Sequence, residues 1–433
     1  MDKNMAGRLI KSVTSYSKHY GVVNIDGAVR GVTRFANSQI SQNINQSDLT
    51  LTLTLHDGKK EATSSTNVLD DAGLKKLASD TEALLNLSPP GDFEAADWHY
   101  EELPDAVSNF GGYDSVKRRV EAVKEGIFGF ESEYTAAGAL TAEKKIAAYG
   151  NSASDKLHYA ELDNVQFNTV VTNNITNADG GAECISHKGE MNIIGGFAEA
   201  KQRVSMGSDP LRLDAGAYTV LLSPKAIYDL FSFITWSLNG KFAAEGMSFV
   251  GSDLKNAPRF GSNITIRDDV GDNRLFPWYF DYEGKRRQPL TLVEGGLVKN
   301  LLHDRKTSPT QCSGHAISNK GRGGFSLHTI IHGGQHSLDE MVKSVKHGLF
   351  ISELHYTNFV NPRNLLVTGL TRNGTFLIKD GTLGQAVTTM RFTQNLIEAL
   401  GRVISLSDEL SLVDSYGWAA LAPYAVIEGF NFP

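Results

Sequence analysis

Cysteine is scarce in this sequence, which contains only Cys184 and Cys312 among its 433 residues. The two lie far apart, and neither belongs to a closely spaced cysteine pair, so neither a disulfide framework nor a thiolate cluster is indicated. Both are therefore expected to be buried thiols. Cys312 and His315 could supply two metal ligands, but no second pair lies nearby in the sequence to complete a tetrahedral site.

Long apolar runs and an excess of positive charge are also missing. No stretch approaches the ~18 consecutive apolar residues of a membrane-spanning helix, and the first residues do not resemble a secretory signal. We therefore predict a cytoplasmic protein without a membrane segment. The net charge of −7 disfavours direct binding of nucleic acid, because such binding depends on neutralising phosphates with Lys and Arg. The densest basic cluster, Lys285 to Arg287, is interpreted as a solvated turn.

Several catalytic motifs are absent as well. The sequence has no HExxH or HExxxH helix, no G-x-S-x-G nucleophile elbow, no Walker loop and no dinucleotide-binding glycine motif. Among its twelve histidines, His328 and His332 are weak candidates for a metal pair, since residues four apart would share a face of a strand. Surface or partly buried sheet histidines are the alternative interpretation. Asp268, Asp269 and Asp272 are predicted to lie hydrated in a polar loop, without an acid–base role.

One glycine-rich loop carries cations that could bind a substrate. Lys320 and Arg322 flank Gly321, an arrangement that could recognise a peptide carboxylate. Together with His315 they are the candidate substrate-binding residues.

The patterns that are present predict an α+β fold. Leu49, Leu51, Leu53 and Leu55 alternate with threonines, which indicates a half-buried strand. Strands around Val22 to Ile25 and Val32 to Ile44 are expected before it, with breaks at Asp26-Gly27 and Asn37-Ser38. Helices are predicted from about Asp70 to Asn86 and from Asp114 or Ser115 onward.

A chain of this length is expected to form two or three units. The passage from Met206 to Tyr218, rich in Gly, Asp and Pro, is the best boundary. We predict an N-terminal region of mixed sheet and helices at 1–213, with 1–105 and 106–213 as its two subdomains. Residues 214–433 would form a region rich in antiparallel sheet with a few helices.

The C-terminal region contains a helix that follows a strand. The strand Tyr218 to Leu222 leads into Ser223-Pro224, a capping residue followed by proline at the first helical position. Apolar residues at helical spacing then extend to Leu238 and predict a mostly buried helix. Further on, Ser337 to Glu340 forms a capping box that opens a short helix expected to stop at His347-Gly348, and hairpins are predicted at Asn373-Gly374 and Asp380-Gly381.

The order of these features resembles the TldD/PmbA (TldE) family, also known as modulators of DNA gyrase. The resemblance is carried by the Asn361-Pro362 turn after a strand, the block from Thr368 to Asp380, and Met390-Arg391-Phe392 after the Asp380-Gly381 hairpin. The N-terminal strands, with the turn at Asp57-Gly58, resemble the first domain of the family. The similarity extends over nearly the whole chain.

The resemblance also implies what this chain lacks. In the catalytic TldD branch, the helix after the strand corresponding to Tyr218 to Leu222 carries HExxxH, which supplies two zinc ligands and a glutamate base. Here Pro224 and Asp229 would replace the two histidines and Lys225 the glutamate, so the chain would bind no cofactor itself. The PmbA (TldE) branch shows the same loss.

The resemblance therefore implies a noncatalytic subunit whose TldD-like partner holds the zinc and cleaves unfolded or modified peptides. Two alternatives stay open. The chain could be a nonenzymatic protein-binding modulator, for example of DNA gyrase, or a homodimeric peptidase with an unrecognised site.

Overall fold

The structure is a computed structural model of the chain. It describes residues 1–91, 101–107, 112–187, 189, 191–207, 209–251, 253–318, 321–415 and 418–433. Within these ranges no helix is long and apolar enough to cross a membrane.

The N-terminal region is built on one seven-stranded sheet with four helices. The strands are β1 (Tyr20–Ala36), β2 (Gln39–Asp57), β3 (Lys60–Thr66), β4 (Ala106–Val107), β5 (Tyr134–Asn151), β6 (Leu157–Asn173) and β7 (Asp179–Ser186). The helices are α1 (Lys3–Ser15), α2 (Asp71–Leu87), α3 (Val116–Ile127) and α4 (Ile193–Ser205). The strand order is β3-β2-β1-β5-β6-β4, and β7 pairs with the far end of β6.

Alternation along the strands gives this sheet two apolar faces. In β5, Ile146 and Ala148 pack with the N-terminal helices, whereas Ala147 and Tyr149 point to the opposite face and pack against the C-terminal region. Because successive strand residues point to opposite faces, the sheet is covered on both sides.

The C-terminal region contains two sheets and four further helices. Its elements are β8 (Gly216–Leu222), α5 (Pro224–Ser237), α6 (Gly240–Ala244), β9 (Ile266–Asp268), β10 (Leu290–Glu294), β11 (Leu297–Val298), β12 (Thr329–Ile331), α7 (Leu338–Ser344), β13 (His347–Asn361), β14 (Leu366–Lys379), β15 (Thr382–Ala386), β16 (Arg391–Asn395), α8 (Leu396–Gly401), β17 (Val403–Leu406), β18 (Ser411–Ser415), β19 (Trp418–Ala422) and β20 (Ala425–Phe432). One sheet has the order β11-β10-β9-β12-β19-β18, and the other has the order β15-β14-β13-β8-β20-β17 with β16 paired to β14.

Helix α5 lies in the core between these two sheets. Its apolar residues Ile227, Phe231 and Ile234 are fully buried and share one hydrophobic cluster with residues of both sheets. The C-terminal sheet that contains β9 and β12 packs its other face against the N-terminal sheet. The C-terminal sheet that contains β8 and β13 packs its other face against α7. The resulting order of layers is helices, sheet, sheet, α5, sheet and α7, so the predicted α+β class is confirmed.

Most local predictions agree with the structure. Leu51, Leu53 and Leu55 are fully buried in β2, and the turn at Asn37-Ser38 joins β1 to β2 with both residues at positive φ. Asp70 and Ser115 cap α2 and α3. The division of the chain at residue 213 and the subdivision at residue 105 stay predictions.

Two predicted turns were wrong, and both contain a glycine within a strand. Strand β1 continues through Asp26-Gly27, where a Cβ on Gly27 would lie 2.3 Å from the Asp48 carbonyl oxygen. Strand β14 likewise continues through Asn373-Gly374. In both places glycine serves a close approach or a bulge rather than a chain reversal. The helix that opens at the Ser337 capping box ends at Ser344, and His347 already belongs to β13.

Candidate functional site

The N-terminus of α5, where the resemblance placed the missing motif, is held firmly by its capping residue. The Ser223 hydroxyl accepts a hydrogen bond from the Ala226 backbone at 3.2 Å and donates one to the Ser352 carbonyl at 2.5 Å. The Ser223 backbone also donates to the Ile351 carbonyl at 3.0 Å. Pro224 occupies the first helical turn, where its missing N–H costs no hydrogen bond. These contacts fix the first turn of α5 against β13.

This first turn opens into a polar cleft between the N-terminal and C-terminal regions. The cleft has a volume of about 530 Å³, and its walls come from β6, β7, α4, the start of α5, β13, β14 and β18. Pro224 and Lys225 line it directly, whereas Asp229 lies one turn further along the helix. Within the described residues, β7 pairs only with β6 and β18 only with β19. Two edge strands therefore border the cleft.

A small charge network occupies the motif positions. The Lys225 Nζ lies 3.5 Å from Glu183 Oε2 on β7 and 4.0 Å from Asp229 Oδ1 on α5. Although burial opposes its charge, the carboxylates of Glu183 and Asp229 raise the pKa of Lys225 above its ordinary value. Lys225 is therefore a cation that ties the edge of the N-terminal sheet to α5.

The carboxyls around Lys225 are affected in the opposite way. Burial raises the pKa of Asp229 to about 7, and the positive charge of Lys225 and a hydrogen bond with the Leu354 backbone oppose that rise only in part. Burial also raises the pKa of Glu183. Several carboxyls around one ammonium group thus make the site acidic and incompletely neutralised.

The residues at the motif positions do not fit a zinc ion. Zinc in proteins takes Cys, His, Asp or Glu as ligands, usually three or four of them. Pro224 has no ligand atom, and the Lys225 ammonium group has no free lone pair and repels a cation from Asp229. A metal-based reaction step cannot be derived from these residues.

A bulge in β14 shapes one wall of the cleft. The pairing of β13 with β14 shifts register between Ile351 and Glu353, where Asn373 and Gly374 have φ values of 54° and 134°. The Asn373 side chain donates to Glu353 Oε2 at 2.6 Å. A Cβ on Gly181 of β7 would lie 2.8 Å from the Asn373 Cβ, so Gly181 permits this close contact between the two regions.

A second polar group, away from the cleft, corrects two of the sequence interpretations. Asp268 and Arg287 are almost completely buried rather than solvated, and their side chains pair at 2.9 Å. His315 Nε2 lies 3.1 Å from the same carboxylate, which also accepts bonds from the Ser326 hydroxyl and from the backbone N–H groups of Leu327 and His328. Although burial opposes ionisation, Arg287 and His315 hold the pKa of Asp268 well below its ordinary value.

The predicted substrate-binding residues differ in their exposure to solvent. His315 is fully buried, with its Nδ1 2.9 Å from the Ser313 hydroxyl, so its environment does not fit contact with a peptide. Arg322 is exposed, and its role as a substrate-binding residue stays a prediction. Lys320 lies outside the described residues.

Among the described residues, neither His328 nor His332 belongs to a group of three potential metal ligands. The only such group in the described part of the chain, with its ligand atoms close enough to share an ion, is Asp281, Glu283 and Cys312. Asp281 already accepts backbone bonds from Glu283, Lys285 and Ala316. Burial raises the pKa of Glu283 to about 8 and of Cys312 to about 11. The Asp281 carboxylate is therefore already bound by the backbone of its own loop. Cys312 is buried as predicted, whereas Cys184 is only partly buried.

The sequence interpretation missed the parts of the cleft contributed by other elements. Glu183, Glu353 and Arg372 line it, yet they come from three different strands far apart in the sequence. The usable signal was Asn373-Gly374, because an Asn-Gly pair inside an otherwise regular strand pattern also indicates a bulge, and bulges are frequent beside functional sites.

Comparison with known proteins places this architecture among relatives. Residues 215–433 match the family model of the PmbA/TldA metallopeptidase C-terminal domain. An uncharacterized protein of Methanocaldococcus jannaschii is 42% identical over 91 residues, which is 20% of this chain and 21% of that protein. A metalloprotease of Methanothermobacter thermautotrophicus is 24% identical over 154 residues, or 34% of each protein. The matched part thus spans well under two thirds of either relative.

Solved structures resemble the whole chain. TldE from Thermococcus kodakarensis superimposes with a TM-score of 0.81 at 18% identity, covering 99% of both chains. A protein of Thermotoga maritima described as a modulator of a DNA gyrase gives a TM-score of 0.80 at 16% identity, also with 99% of both chains covered. At these identities the likeness concerns the fold.

Proposed function

The chain belongs to the PmbA/TldD family, and from this premise we propose that it is a noncatalytic, PmbA/TldE-like subunit of a zinc metallopeptidase complex. Its partner would be a TldD-like chain that carries HExxxH and the zinc ion. The complex would process or degrade unfolded or modified peptides in the cytoplasm. The observation that carries the proposal is that Pro224 and Lys225, neither of which can bind zinc, line the cleft at the start of α5.

The charge of the Lys225 ammonium group supports a noncatalytic role for this chain. The raised pKa of Lys225 keeps its ammonium group charged at neutral pH, beside Glu183 and Asp229. A lysine held in this state cannot act as the general base that a glutamate provides in a metallopeptidase. The helix retains its cap and its buried apolar face, so the framework of the site is preserved without catalytic groups.

The cleft is also suited to an extended peptide. The edge strands β7 and β18 border it, and an extended peptide can add to a sheet edge through main-chain hydrogen bonds. Such binding makes little demand on the peptide sequence. In the proposed complex this chain would hold and enclose the peptide while the partner cleaves it.

The test compares the isolated chain with the reconstituted pair. We expect the purified chain to contain substoichiometric zinc by mass spectrometry and to leave an unfolded, fluorescently labelled protein uncut. Cleavage should appear when a family member carrying HExxxH is added. The matched control is the same partner with its motif glutamate replaced by glutamine, which should restore no cleavage.

Zinc at one ion per chain, with cleavage by this chain alone, would contradict the proposal and favour the homodimeric peptidase. The modulator alternative rests on the description of the Thermotoga maritima relative. It would be favoured if affinity capture with this chain recovered DNA gyrase and no chain carrying HExxxH.

A further inference from the structure

The cleft at the start of α5 continues into a second chamber. A cavity of about 370 Å³ lies between the segment around Asn177, the bulge of β14 and residues 386–389. It shares three lining residues with the first cavity, namely His355, Arg372 and Asn373. The two cavities therefore adjoin, and these three side chains form the ridge between them.

Arg372 is the formal positive charge that both chambers share. Its Nη1 lies 2.8 Å from His355 Nε2, and within the described residues no carboxylate oxygen lies within 4.0 Å of its guanidinium nitrogens. Glu353 is the residue opposite Arg372 on β13, but its carboxylate is engaged by the Asn373 amide at 2.6 Å. Arg372 is exposed, and its guanidinium group keeps donors for a ligand.

The backbone on both sides of the ridge departs from a regular sheet. The pairing of β13 with β14 shifts register between Ile351 and Glu353 and again between His355 and Asn358. Tyr356, next to the ridge, and Asn373, within it, have φ values of 50° and 54°. Bulges and left-handed residues redirect side chains, and they are frequent at binding sites. Here they lie beside the shared arginine.

The chambers differ in charge. Besides Arg372, the first is lined by the cations Lys225 and Arg203 and by the carboxylates of Glu183, Glu199 and Glu353. Lys225 and Arg203 already pair with Glu183 and Glu199, so a peptide carboxylate would meet like charges there. The second is lined mainly by hydroxyl and apolar side chains, among them Thr371, Thr375 and Thr388. Asp179, the one acidic residue among its described lining residues, accepts a hydrogen bond from Thr172 at 2.7 Å. The two adjoining chambers form one groove. A carboxylate in this groove is thus best placed at Arg372.

We propose that Arg372 binds a carboxylate of an extended peptide lying in this groove. The group could be the C-terminal carboxylate or an acidic side chain, since both offer two oxygens to the donors of a guanidinium group. The inference deepens the proposed function and rests on it in one respect, that the ligand of the cleft is a peptide. It assigns the substrate-binding cation to Arg372, not to the loop around Arg322.

The test measures peptide binding to the isolated full chain by fluorescence anisotropy. Three probes are used, all labelled at the N-terminus: an unstructured peptide of small neutral residues with a free C-terminal carboxylate, the same peptide as its amide, and that amide with one internal aspartate. We expect the acid or the aspartate probe to bind about 2- to 5-fold more tightly than the plain amide, because water screens an ion pair with an exposed arginine. The preferred probe identifies the source of the carboxylate.

Arg372→Gln should abolish that preference, and Arg372→Lys should restore it only in part because it loses the planar fork of donors. Arg363→Gln is the matched control, since Arg363 is exposed, carries the same charge and lines neither chamber. Its affinities should equal those of the parent chain, and both glutamine variants should unfold at the same temperature as the parent.

Equal binding of all three probes, no binding of any, or equal losses in Arg372→Gln and Arg363→Gln would overturn the proposal. The proposed function has a separate readout, the cleavage gained when a HExxxH-bearing partner is added. If cleavage is gained and the probes bind without preference, only the assignment of Arg372 fails. If the preference is present and no partner restores cleavage, the subunit proposal fails instead.

Discussion

Asp229 in the cleft and Asp268 in the closed cluster are both surrounded by protein, and their ionisation changes in opposite directions. Burial raises the pKa of Asp229 to about 7. Asp268 is more deeply buried, yet the charge of Arg287 and the contact with His315 hold its pKa well below the ordinary value. Four hydrogen bonds reach the Asp268 carboxylate and His315 Nε2 lies 3.1 Å from it, whereas Asp229 has one distant ammonium group and a bond with the Leu354 backbone.

The difference shows that the number of hydrogen-bond donors around a buried carboxylate determines whether it stays ionised. A carboxylate that accepts several hydrogen bonds remains ionised and fixes its neighbours in place. One that is short of donors lies close to protonation and can exchange a partner or a proton. Asp268 therefore stabilises the C-terminal region, while the carboxyls around Lys225 remain available to a ligand.

Breaking the closed cluster should have the largest effect. Asp268→Asn removes the charge that neutralises Arg287, and an unpaired buried charge costs roughly 3–5 kcal/mol of unfolding free energy. Urea unfolding followed by tryptophan fluorescence measures the change. The neighbouring variant Asp269→Asn is the control, because the pair of Asp269 with Arg267 is partly exposed and should contribute less than about 1 kcal/mol. Similar losses in both variants would remove the distinction drawn for Asp268.

The pH dependence of stability should reveal the opposite behaviour of Asp229. Its carboxyl has an ordinary pKa of 3.8 and a folded pKa of about 7, so between these values the folded chain binds more protons than the unfolded chain. The unfolding free energy should therefore fall as the pH rises through this window, by on the order of 2–4 kcal/mol from this group.

Asp229→Asn should make the decline between pH 4 and pH 8 shallower, as measured by urea unfolding at several pH values. Other buried carboxyls, such as Asp26 with its pKa raised to about 6, contribute equally to the parent and the variant. The exposed Asp408→Asn serves as control and should leave the slope unchanged. An unchanged slope in Asp229→Asn would show that Asp229 is ionised in the folded chain like an ordinary aspartate.

Removing the cation of the cleft should have a smaller effect. Lys225→Met leaves Glu183 and Asp229 without their counter-charge, but the three side chains are 22–33% exposed and water screens part of the loss. We expect a destabilisation of about 1–2 kcal/mol, less than for a fully buried pair. The double variant with Glu183→Gln should recover part of it, which a double-mutant cycle of urea unfolding measures.

Lys76→Met is the control for this variant, since the exposed Lys76 pairs with Asp80 one turn along α2 and such pairs contribute about 0.2–0.5 kcal/mol. Equal losses in the two lysine variants would mean that Lys225 is an ordinary surface cation.

Local sequence patterns predicted individual elements well. The alternation from Leu49 to Leu55 fixed the buried face of β2, and Ser223-Pro224 fixed the start of α5 to the residue. These signals succeed because a strand repeats every two residues and because a helix start needs a capping group. The two glycines within strands, Gly27 and Gly374, were misjudged because their role depends on a neighbouring strand that the local pattern does not contain.

Some residues of the candidate site could be predicted from the sequence. The resemblance located Pro224, Lys225 and Asp229, but Glu183 and Arg372 became visible only when β7, α5 and β14 were brought together. Arg287 and Asp268 were interpreted as solvated because they lie in a charged turn and in a polar loop. Their burial follows from pairing with each other and with His315, which are 19 and 47 residues away from Asp268 in sequence.

The sequence by itself determined the buried face of β2, the capped and buried helix α5 and the absence of a zinc-binding motif on it, because each of these depends on neighbouring residues. The tertiary structure alone decided which charges are buried, which carboxyl is short of donors and which arginine faces the groove. Those properties depend on residues brought together from distant strands, and on the loss of water between them.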